Sequence, residues 1–405
     1  MARQTEVILC VGGAAGDGVA SAGETFAKLC ARSGLHVFAY NSYQSVIRGG
    51  HVWLQVRAGE EKMHSQRGHF DILIALNLDT IEKDAQYVAS GGGVLFNSDR
   101  VKVLENQVPS GVQLMPLPVG QLAGQFSKAP IIQNMVALGA AVRLADMEFR
   151  LVEELVNERF GKKGSEVAQA NVNAARAGYD HAGKTWGSLN LGLKFSGVRR
   201  LVMTGNQAIA VGATAGGCKF YAAYPMTPAS SILHWFAARG AKYGVLVKQA
   251  EDEIAVLNMA IGAGYAGVRS MCGTSGGGFA LMTEAVGEAA MTETPVVIVN
   301  AQRGGPSTGL PTKTEQGDLF QMLGASQGDF PKALIAPVSV EDAFYATAEA
   351  LNLAEKYQIP VMIASDLFLS EHMETVDPEH FDFSAITIDR GAIAGPRTNG
   401  HGYKR

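Results

Sequence analysis

Strand-length apolar runs alternate with helical stretches through the second half of the chain, and this alternation constrains the fold more than any other feature. The strand-like runs are CKFYAAYP, YGVLVKQ, GVRSMCG, PVVIVNAQ and IPVMIASD. Stretches with helical spacing of apolar residues, such as EIAVLNMAIGAGYAG, lie between them. Strands that alternate with helices form a parallel sheet with helices on both faces. The sequence therefore predicts an α/β, doubly wound parallel sheet whose ligand crevice lies at the carboxyl ends of the strands.

The first half of the chain predicts a separate α/β domain. Residues 6–13 have the length and composition of a strand, and a glycine turn then leads into a helix that ends near Gly34. Three β-rich runs follow, and the sequence is mostly helical over 134–181. A stretch rich in Gly, Ser and Asn at 186–197 interrupts this pattern. We expect domains at 1–190 and 199–375, and a linker at 376–405 to a missing or separate domain.

Composition and charge argue against several classes of function. Lys and Arg number 34 against 38 Asp and Glu, a formal net charge of −4, which argues against a general nucleic-acid coating role. The four cysteines lie far apart without a C-x-x-C pair, and the nine histidines form no paired motif, so we expect no metal site on this chain. No leader-like start and no apolar run near eighteen residues is found. We therefore expect a cytoplasmic protein that binds neither membranes nor nucleic acids.

The motif GGAAGDGV lies between a predicted strand and a predicted helix. Its glycines are Gly12, Gly13, Gly16 and Gly18. Glycine turns at this position let backbone N–H groups approach a phosphate at the start of the helix. The match to G-x-G-x-x-G is incomplete, because Ala14 stands at the second glycine position. A plain strand-to-helix turn explains the motif equally well.

A second motif of the first domain is SVIRGGHVW, in which Arg48 and Gly49 precede a predicted strand. An arginine beside exposed backbone suits a phosphate or a carboxylate, because the guanidinium can donate two parallel hydrogen bonds. The alternative is a β-bulge with a solvated arginine. Both interpretations remain open from the residues alone.

Two motifs of the second domain follow predicted strands directly. In YPMTP, Tyr224 and Pro225 precede Thr227, whose hydroxyl can donate and accept at the start of the next helix. A pure helix cap is the alternative. In QRGGPSTGLPTKTEQGDL, Arg303 can bind a carboxylate through two donors, and the hydroxyls of Thr308 and Thr312 can hold a neighbouring carbonyl oxygen. The alternative there is structural packing of the loop.

Three carboxylates, Glu251, Asp252 and Glu253, begin a strongly apolar helix. Acidic residues in a first turn complement the helix dipole without any further function. A carboxylate flanked by the apolar and small residues that follow Glu253 is also the setting for a raised pKa. The sequence leaves both interpretations open. Another glycine loop, GTSGGGFALM, enters the next helix and includes Gly273 and Ser275.

Taken together, these motifs resemble the 2-oxoacid:ferredoxin oxidoreductases, thiamine-dependent enzymes that decarboxylate 2-oxoacids oxidatively with coenzyme A and ferredoxin. YPMTP corresponds to the family's Y-P-[IM]-T-P signature, and EDEIAVLNMAIGAGYAG with GTSGGGFALM is similar to its next two blocks. The resemblance implies a gamma-type α/β domain over 1–190 and a pyrimidine-binding thiamine domain over 199–375. A gamma unit fused ahead of an alpha unit is similar to the branch that often uses 2-oxoglutarate.

The resemblance also implies a role for each candidate residue of the second domain. Glu253, nine residues before Gly262, would hydrogen-bond N1′ of the aminopyrimidine of thiamine pyrophosphate, with Glu251 as the fallback. Arg303 would hold the substrate carboxylate, and Thr227 the substrate carbonyl or the cofactor ring, with Thr308 and Thr312 lining the pocket. The implied cofactor-contacting residues are Tyr224, Pro225, Thr227, Glu253, Gly273 and Ser275. The glycine loop and Arg48–Gly49 of the first domain would face coenzyme A or a subunit interface.

Cofactors and partners follow from the same resemblance. Thiamine pyrophosphate would be shared with a beta subunit, which would also hold Mg2+ and an iron-sulfur cluster of the 4Fe-4S type. Ferredoxin would accept the electrons, and two alpha and two beta chains would form a heterotetramer. We expect 2-oxoglutarate as the substrate, with pyruvate or a branched-chain 2-oxoacid as alternatives within the class. A non-catalytic regulatory chain that binds coenzyme A or a nucleotide is the alternative outside it.

Overall fold

A computed structural model describes residues 5–45, 49–124, 126, 130–161 and 164–393 of the chain. The chain divides into two units, each with its own sheet. The first unit comprises Met1–Val202 and His372–Asp377, and the second comprises Met203–Glu371 and Pro378–Arg405. Within the described part of the chain, no helix is both long enough and apolar enough to cross a lipid bilayer.

The first unit is built on a mixed sheet. Its strands are β1 (Glu6–Ala15), β2 (His36–Ser42), β3 (Gly49–Gly59), β4 (Phe70–Ala75), β5 (Val88–Asn97) and β6 (Gln113–Leu117). Its helices are α1 (Val19–Arg32), α2 (Leu78–Asp84), α3 (Val119–Gly124), α4 (Pro130–Leu144), α5 (Phe149–Phe160) and α6 (Ser165–Thr185). The strands β6, β5, β4 and β1 run parallel, whereas β3 and β2 are antiparallel to their neighbours. The predicted α/β domain is therefore present.

Close helix packing forms much of the first unit's core. Helices α4 and α6 cross at two glycines, Gly139 and Gly178. A Cβ atom at either position would overlap a backbone carbonyl of the facing helix, that of Ala175 or that of Val136. Glycine is required here because only a residue without a side chain lets two helix backbones approach so closely. The helices then cover the apolar face of β1, β2 and β3 in one continuous hydrophobic cluster.

The structure corrects the predicted extent of the glycine turn at 12–19. Strand β1 continues to Ala15, so Gly12 and Gly13 are strand residues. A Cβ atom at Gly12 would lie 2.9 Å from Asp84 Oδ2 and closer still to the Thr80 side chain. These glycines therefore let α2 pack against the strand, and the turn itself is confined to residues 16–18.

The second unit is built on a six-stranded sheet in which every neighbouring pair is parallel, in the order β12-β13-β11-β10-β8-β9. Its strands are β8 (Phe220–Ala223), β9 (Leu246–Gln249), β10 (Ser270–Thr274), β11 (Val296–Gln302), β12 (Ala333–Ile335) and β13 (Pro360–Asp366). Its helices are α7 (Gly205–Ala215), α8 (Ser230–Arg239), α9 (Glu253–Tyr265), α10 (Gly276–Met291), α11 (Leu319–Leu323), α12 (Val340–Tyr357) and α13 (Leu367–Glu371).

The predicted parallel sheet is confirmed, and its two faces are covered by different helices. Ile298 and other alternate strand residues pack with α9 and α10 in one hydrophobic cluster. Helices α7 and α12 pack together so closely that a Cβ atom at Gly212 would overlap the Phe344 carbonyl. Each of the five strand-like runs forms a strand. The short edge strand β12 was not predicted, because three residues carry too little periodicity.

The C-terminal part of the chain differs from the predicted domain limits. Two further strands, β7 (Leu201–Thr204) and β14 (Met373–Val376), extend the first unit's sheet beyond β2. The end of the stretch predicted as the second domain therefore belongs to the first unit, where the Val37 amide donates to Thr375 Oγ1 at 3.0 Å. Strand pairing, which sequence periodicity does not specify, determines this exchange.

Of the stretch predicted as a linker at 376–405, residues 378–393 are held against the second unit. Arg390 donates to Glu355 at 2.6 Å, and Glu355 also accepts from Arg269 at 2.7 Å. Asn352 Nδ2 donates to the Thr387 carbonyl at 2.9 Å. This largely buried polar network fixes residues 378–393 against α12, so they are not an extended connection. Residues 394–405 of the predicted linker lie outside the described residues.

Candidate functional site

The carboxyl edge of the second unit's sheet collects the candidate residues of that unit. In a parallel sheet all strands end at the same edge, so the loops after β8, β9, β10 and β11 are neighbours. YPMTP follows β8, Glu253 follows β9, GTSGGG follows β10 and the Arg303 loop follows β11. The topology thus gathers four motifs that are separated by up to about eighty residues in the sequence.

Glu253 is the buried carboxylate of this edge. Its neighbour Asp252 caps α9 by accepting from the Ala255 amide at 2.7 Å, and Asp252 and Glu251 are both exposed. Glu253 is 3% exposed, and its Oε1 atom is buried without a hydrogen-bond partner in the described structure. Burial raises the pKa of this carboxyl, and the charge of Asp252 adds to the rise against the effect of a backbone hydrogen bond. The two interpretations of the acidic cluster therefore describe different residues, because Asp252 caps the helix and Glu253 has the raised pKa.

Three consecutive glycines at the start of α10 form a side-chain-free surface. A Cβ atom at Gly278 would lie 2.5 Å from Glu253 Oε1 and even closer to Thr274 Oγ1. A Cβ atom at Gly276 would overlap the carboxylate of Asp318. The triplet therefore lets the first turn of α10 lie directly against two carboxylates, which is the structural reason for GTSGGG.

Arg303 is buried beneath the loops that it joins. Its Nη1 donates to the Thr227 carbonyl at 2.6 Å, and its Nη2 donates to the Thr308 carbonyl at 3.2 Å. The structure thus brings Arg303 together with two of the three predicted threonines, Thr227 and Thr308, through their backbones. Thr308 is exposed and Thr312 is partly buried in the same loop. An unpredicted role of Arg303 is therefore to tie the loop after β8 to the loop after β11.

The remaining predicted cofactor residues lie at the same edge. Tyr224 is partly buried against the α9 and α10 cluster, and Pro225 is exposed. Gly273 lies in β10, where a Cβ atom would meet the Tyr221 hydroxyl at 2.6 Å. Ser275 is the N-cap residue of α10, but its buried hydroxyl makes no capping hydrogen bond.

Several polar residues near this edge were not predicted. Asn300 is fully buried at the end of β11, where its Nδ2 donates to Asp318 Oδ2 at 3.2 Å. Burial raises the pKa of Asp318, with the charge of Glu315 in the same direction and the Asn300 hydrogen bond opposed. The signal in the sequence was a polar residue inside an apolar run, VVIVNAQ.

Five buried side-chain atoms of this unit have no hydrogen-bond partner among the described residues. They are Asn206 Oδ1, Tyr221 OH, Glu253 Oε1, Ser275 Oγ and Asn300 Oδ1. Most buried polar groups in native proteins are hydrogen-bonded, and each exception calls for an explanation such as a ligand or a water. Two of these atoms, those of Glu253 and Ser275, come directly from the predicted cofactor residues.

The first unit has a cavity of about 430 Å3 at the carboxyl ends of its parallel strands. Its lining residues are Gly16–Gly18, Ile74–Leu76, Leu95–Asn97, Arg100, Leu117, Val119, Gln133, Asn134 and Ala137. Gly16 and Gly18 adopt positive φ angles of 100° and 88°. The Asn134 amide donates to the Asp17 carbonyl at 2.7 Å and leaves no room for a side chain at Gly18. The glycine turn therefore forms one wall of a cavity that also contains an arginine.

Three other first-domain candidates, Gly12, Gly13 and Gly49, do not line this cavity. Gly12 and Gly13 lie within β1, and Gly49 is exposed at the start of β3 with a φ of 81°. The register between β1 and β3 shifts between Ala14, which pairs with His51, and Ala15, which pairs with Gly49. Arg48 lies outside the described residues.

Comparison with protein families divides the chain in the same way. Residues 8–181 match the family described as pyruvate ferredoxin/flavodoxin oxidoreductase. Residues 211–396 match the family described as pyruvate flavodoxin/ferredoxin oxidoreductase, thiamine diP-bdg. The first match covers strands β1 to β6, and the second covers strands β8 to β13.

Similar proteins and a similar solved structure extend over nearly the whole chain. A 2-oxoacid:ferredoxin oxidoreductase subunit alpha of a Sulfolobus species is 31% identical over 95% of this chain and 68% of that protein. A 2-oxoglutarate oxidoreductase subunit KorA of Mycobacterium tuberculosis is 32% identical over 90% and 61%. The structure of 2-oxoglutarate:ferredoxin oxidoreductase from Magnetococcus marinus, with 2-oxoglutarate, coenzyme A and succinyl-CoA bound, matches with a TM-score of 0.88. It is 36% identical and covers 99% of this chain and 69% of that one.

Proposed function

Because the chain belongs to the 2-oxoacid:ferredoxin oxidoreductases, as a subunit of the alpha type, we propose that its second unit forms the aminopyrimidine half of a thiamine pyrophosphate site. The observation that carries this proposal is Glu253, a buried carboxyl with a raised pKa and an unpartnered Oε1 atom at the carboxyl edge of the sheet. Such a group fits a heteroaromatic ring nitrogen, because a ring nitrogen can supply the missing hydrogen bond.

The proton on Glu253 is this chain's own contribution to the chemistry. A raised pKa keeps the carboxyl protonated to higher pH, so Glu253 can donate a hydrogen bond to N1′ of the ring. The side-chain-free surface at Gly278 leaves the carboxyl in place without pressing on it. When bound, thiamine pyrophosphate supplies the nucleophilic carbon and the electron sink for decarboxylation of a 2-oxoacid. We propose that Tyr224, Pro225, Gly273 and Ser275 line the space around the ring.

Arg303 and the threonines form the proposed substrate side of the site. A carboxylate is a stronger acceptor than a backbone carbonyl, so a substrate carboxylate can draw the Arg303 guanidinium toward it. The Thr227 hydroxyl would then meet the substrate carbonyl or the cofactor ring, and Thr308 and Thr312 would line the entrance. Proximity of Arg303 to both loops supports this arrangement.

We propose 2-oxoglutarate as the substrate. Two relatives support this choice by name, the KorA subunit of Mycobacterium tuberculosis and the Magnetococcus marinus enzyme, whose structure contains 2-oxoglutarate. Turnover of 2-oxoglutarate, pyruvate and a branched-chain 2-oxoacid by the assembled enzyme distinguishes the alternatives. Preference for 2-oxoglutarate by tenfold or more in kcat/KM is expected, and equal rates would refute the choice.

We further propose that the first unit's cavity receives coenzyme A. The structure from Magnetococcus marinus contains coenzyme A and succinyl-CoA, and the cavity here combines a glycine turn at a helix start with Arg100 and three amide side chains. Backbone N–H groups at a helix start and a guanidinium are both suited to phosphate groups. The glycine-turn interpretation thus applies to Gly16 and Gly18.

The proposed partner is a beta subunit that carries Mg2+ and an iron-sulfur cluster of the 4Fe-4S type and passes electrons to ferredoxin. Large apolar side chains are exposed on α9, α10 and α11, including Ile254 at 50%, Leu281 at 52% and Phe320 at 85%. Exposed apolar surface beside a half-built site indicates a protein interface. We propose an assembly of two alpha and two beta chains. The four unpaired cysteines fit the reducing cytoplasm.

The experiment that tests the function uses the chain assembled with its beta subunit. Glu253→Gln keeps the shape of the side chain and removes the titratable proton, so kcat for a 2-oxoacid is expected to fall by about 10²–10⁴-fold. Glu251→Gln changes an exposed neighbour in the same cluster and is the matched control. Unchanged turnover in Glu253→Gln would refute the proposed function and favour a regulatory chain.

A further inference from the structure

Asn206 is a fully buried polar residue that no sequence motif pointed to. It is the second residue of α7, whose first turn is fixed by a capping box between Thr204 and Gln207. A Cβ atom at the preceding Gly205 would overlap the Leu369 carbonyl, so the start of α7 is held tightly in place. A side chain at this position therefore has a well-defined origin from which to reach a neighbouring loop.

The Asn206 amide reaches the loop that contains Thr227. Its Nδ2 donates to the Pro228 carbonyl at 2.8 Å and to Ser231 Oγ at 2.7 Å. A carbonyl acceptor at 2.8 Å fixes the orientation of the amide, because the amide oxygen would be repelled at that position. Asn206 thus connects the start of α7 to the turn that precedes α8.

The preceding carbonyl of the same loop, that of Thr227, accepts a hydrogen bond from a residue of another element. Arg303 Nη1 donates to the Thr227 carbonyl at 2.6 Å, and Arg303 follows β11. Two consecutive carbonyl oxygens, those of Thr227 and Pro228, therefore accept hydrogen bonds from side chains of two separate elements. Pro225 and Pro228 have no N–H group, so the loop has few backbone hydrogen bonds of its own to define its shape.

We propose that Asn206 is a positioning residue that acts together with Arg303 to hold Thr227 in its working position. This inference rests on the proposed role of Thr227 in the site. If a substrate carboxylate draws Arg303 away from the Thr227 carbonyl, the Asn206 hydrogen bond to Pro228 keeps the loop in place. Because of Asn206, the Thr227 hydroxyl keeps its position when Arg303 binds the substrate.

The first experiment measures the loop and the reaction in the assembled enzyme. Asn206→Ala removes both hydrogen bonds, and Asn206→Asp keeps the shape but replaces the amide donor by an acceptor. Hydrogen exchange of the peptide 224–231 is expected to accelerate about tenfold, and kcat/KM for the 2-oxoacid to fall at least tenfold. Asn206→Asp is the second variant in case the alanine variant does not fold.

Asn171→Ala is the matched control. Asn171 lies in α6 of the first unit, is 1% exposed, donates from Nδ2 to the Val167 carbonyl at 2.8 Å and has a buried, unpartnered Oδ1 atom, as Asn206 has. Its loss is expected to lower the melting temperature with no change in kcat/KM or in exchange at 224–231. An equal loss of activity in both variants would show a merely structural role and overturn the inference.

A double-mutant cycle tests whether Asn206 acts through Thr227. Asn206→Ala is expected to lower kcat/KM at least tenfold in the wild-type chain and less than threefold in the Thr227→Ala background. Additive losses of kcat/KM in the double variant, or an unchanged kcat/KM in Thr227→Ala alone, would overturn the inference. Glu253→Gln distinguishes failure of the positioning role from failure of the proposed function. If Glu253→Gln loses turnover and Asn206→Ala behaves as wild type, only the positioning role is refuted. Full turnover of Glu253→Gln refutes the proposed function.

Discussion

Gly278→Ala is the substitution that tests the geometry around Glu253 most directly. The added Cβ atom would lie 2.5 Å from Glu253 Oε1, whereas real Cβ atoms essentially never approach a heavy atom within 3.0 Å. Either the carboxyl or the helix must therefore move by at least about 0.5 Å, and by about 0.9 Å to restore an ordinary 3.4 Å contact. The added Cβ atom would lie even closer to Thr274 Oγ1, so the Thr274 side chain is a second obstacle.

The expected effect on function is larger than the effect on stability. A displacement near 1 Å of a group that contacts the reacting system costs about 10²-fold in rate. The alanine gains about 0.5–1 kcal/mol of helix stability relative to glycine, and overpacking costs about 1–3 kcal/mol, so net destabilisation stays within about 2.5 kcal/mol. We therefore expect a folded chain whose assembled enzyme has about a hundredth of the wild-type kcat/KM.

Steady-state turnover of the assembled enzyme and calorimetric titration with thiamine pyrophosphate measure this effect. Gly262→Ala, in the neighbouring helix α9, is the control, because a Cβ atom there has no heavy atom within 4 Å. We expect that variant to retain turnover and to melt at a slightly higher temperature. Wild-type kcat/KM together with wild-type cofactor affinity in Gly278→Ala would show that the glycine does not confine Glu253 and would refute the predicted displacement of its carboxyl.

Three further predictions concern charge. Because burial raises the pKa of Glu253, the folded state binds more protons than the unfolded state above pH 4.5, and the stability from this group falls as pH rises. The melting temperature of Glu253→Gln relative to wild type should therefore increase from pH 4 to pH 8. Melting temperatures of the two proteins that change in parallel with pH would contradict this prediction. Glu355→Ala leaves Arg269 buried without its ion pair and is expected to cost about 3–5 kcal/mol in urea unfolding, whereas Lys356→Ala, at an exposed ion pair, should change the midpoint little. Arg100→Ala should raise the KM for coenzyme A about tenfold and leave that for the 2-oxoacid unchanged; equal KM values for coenzyme A would remove the cavity from the proposal.

The alternation of strands and helices was sufficient to predict the parallel sheet and the edge at which the motifs meet. That inference works because parallel strands all end at one edge, whichever order they adopt. The strand order itself, and the return of β14 to the first unit's sheet, depend on pairing between residues more than three hundred positions apart, such as Val37 and Thr375. No local pattern encodes such pairs, so the sequence did not indicate that residues 372–377 belong to the first unit.

The roles of individual side chains at the site depended on burial, and two adjacent residues can differ completely in how buried they are. Asp252 and Glu253 have similar chemistry and follow each other in the chain, yet one caps α9 from the surface and the other is buried with a raised pKa. The difference arises because Asp252 lies in extended backbone before the helix, whereas Glu253 is its first helical residue and faces the glycine surface of α10. Neither the composition of the cluster nor its position in the first turn predicts which of the two carboxylates is buried. The packing of α10 against α9 decides which carboxylate is buried, and three glycines in GTSGGG make that packing possible.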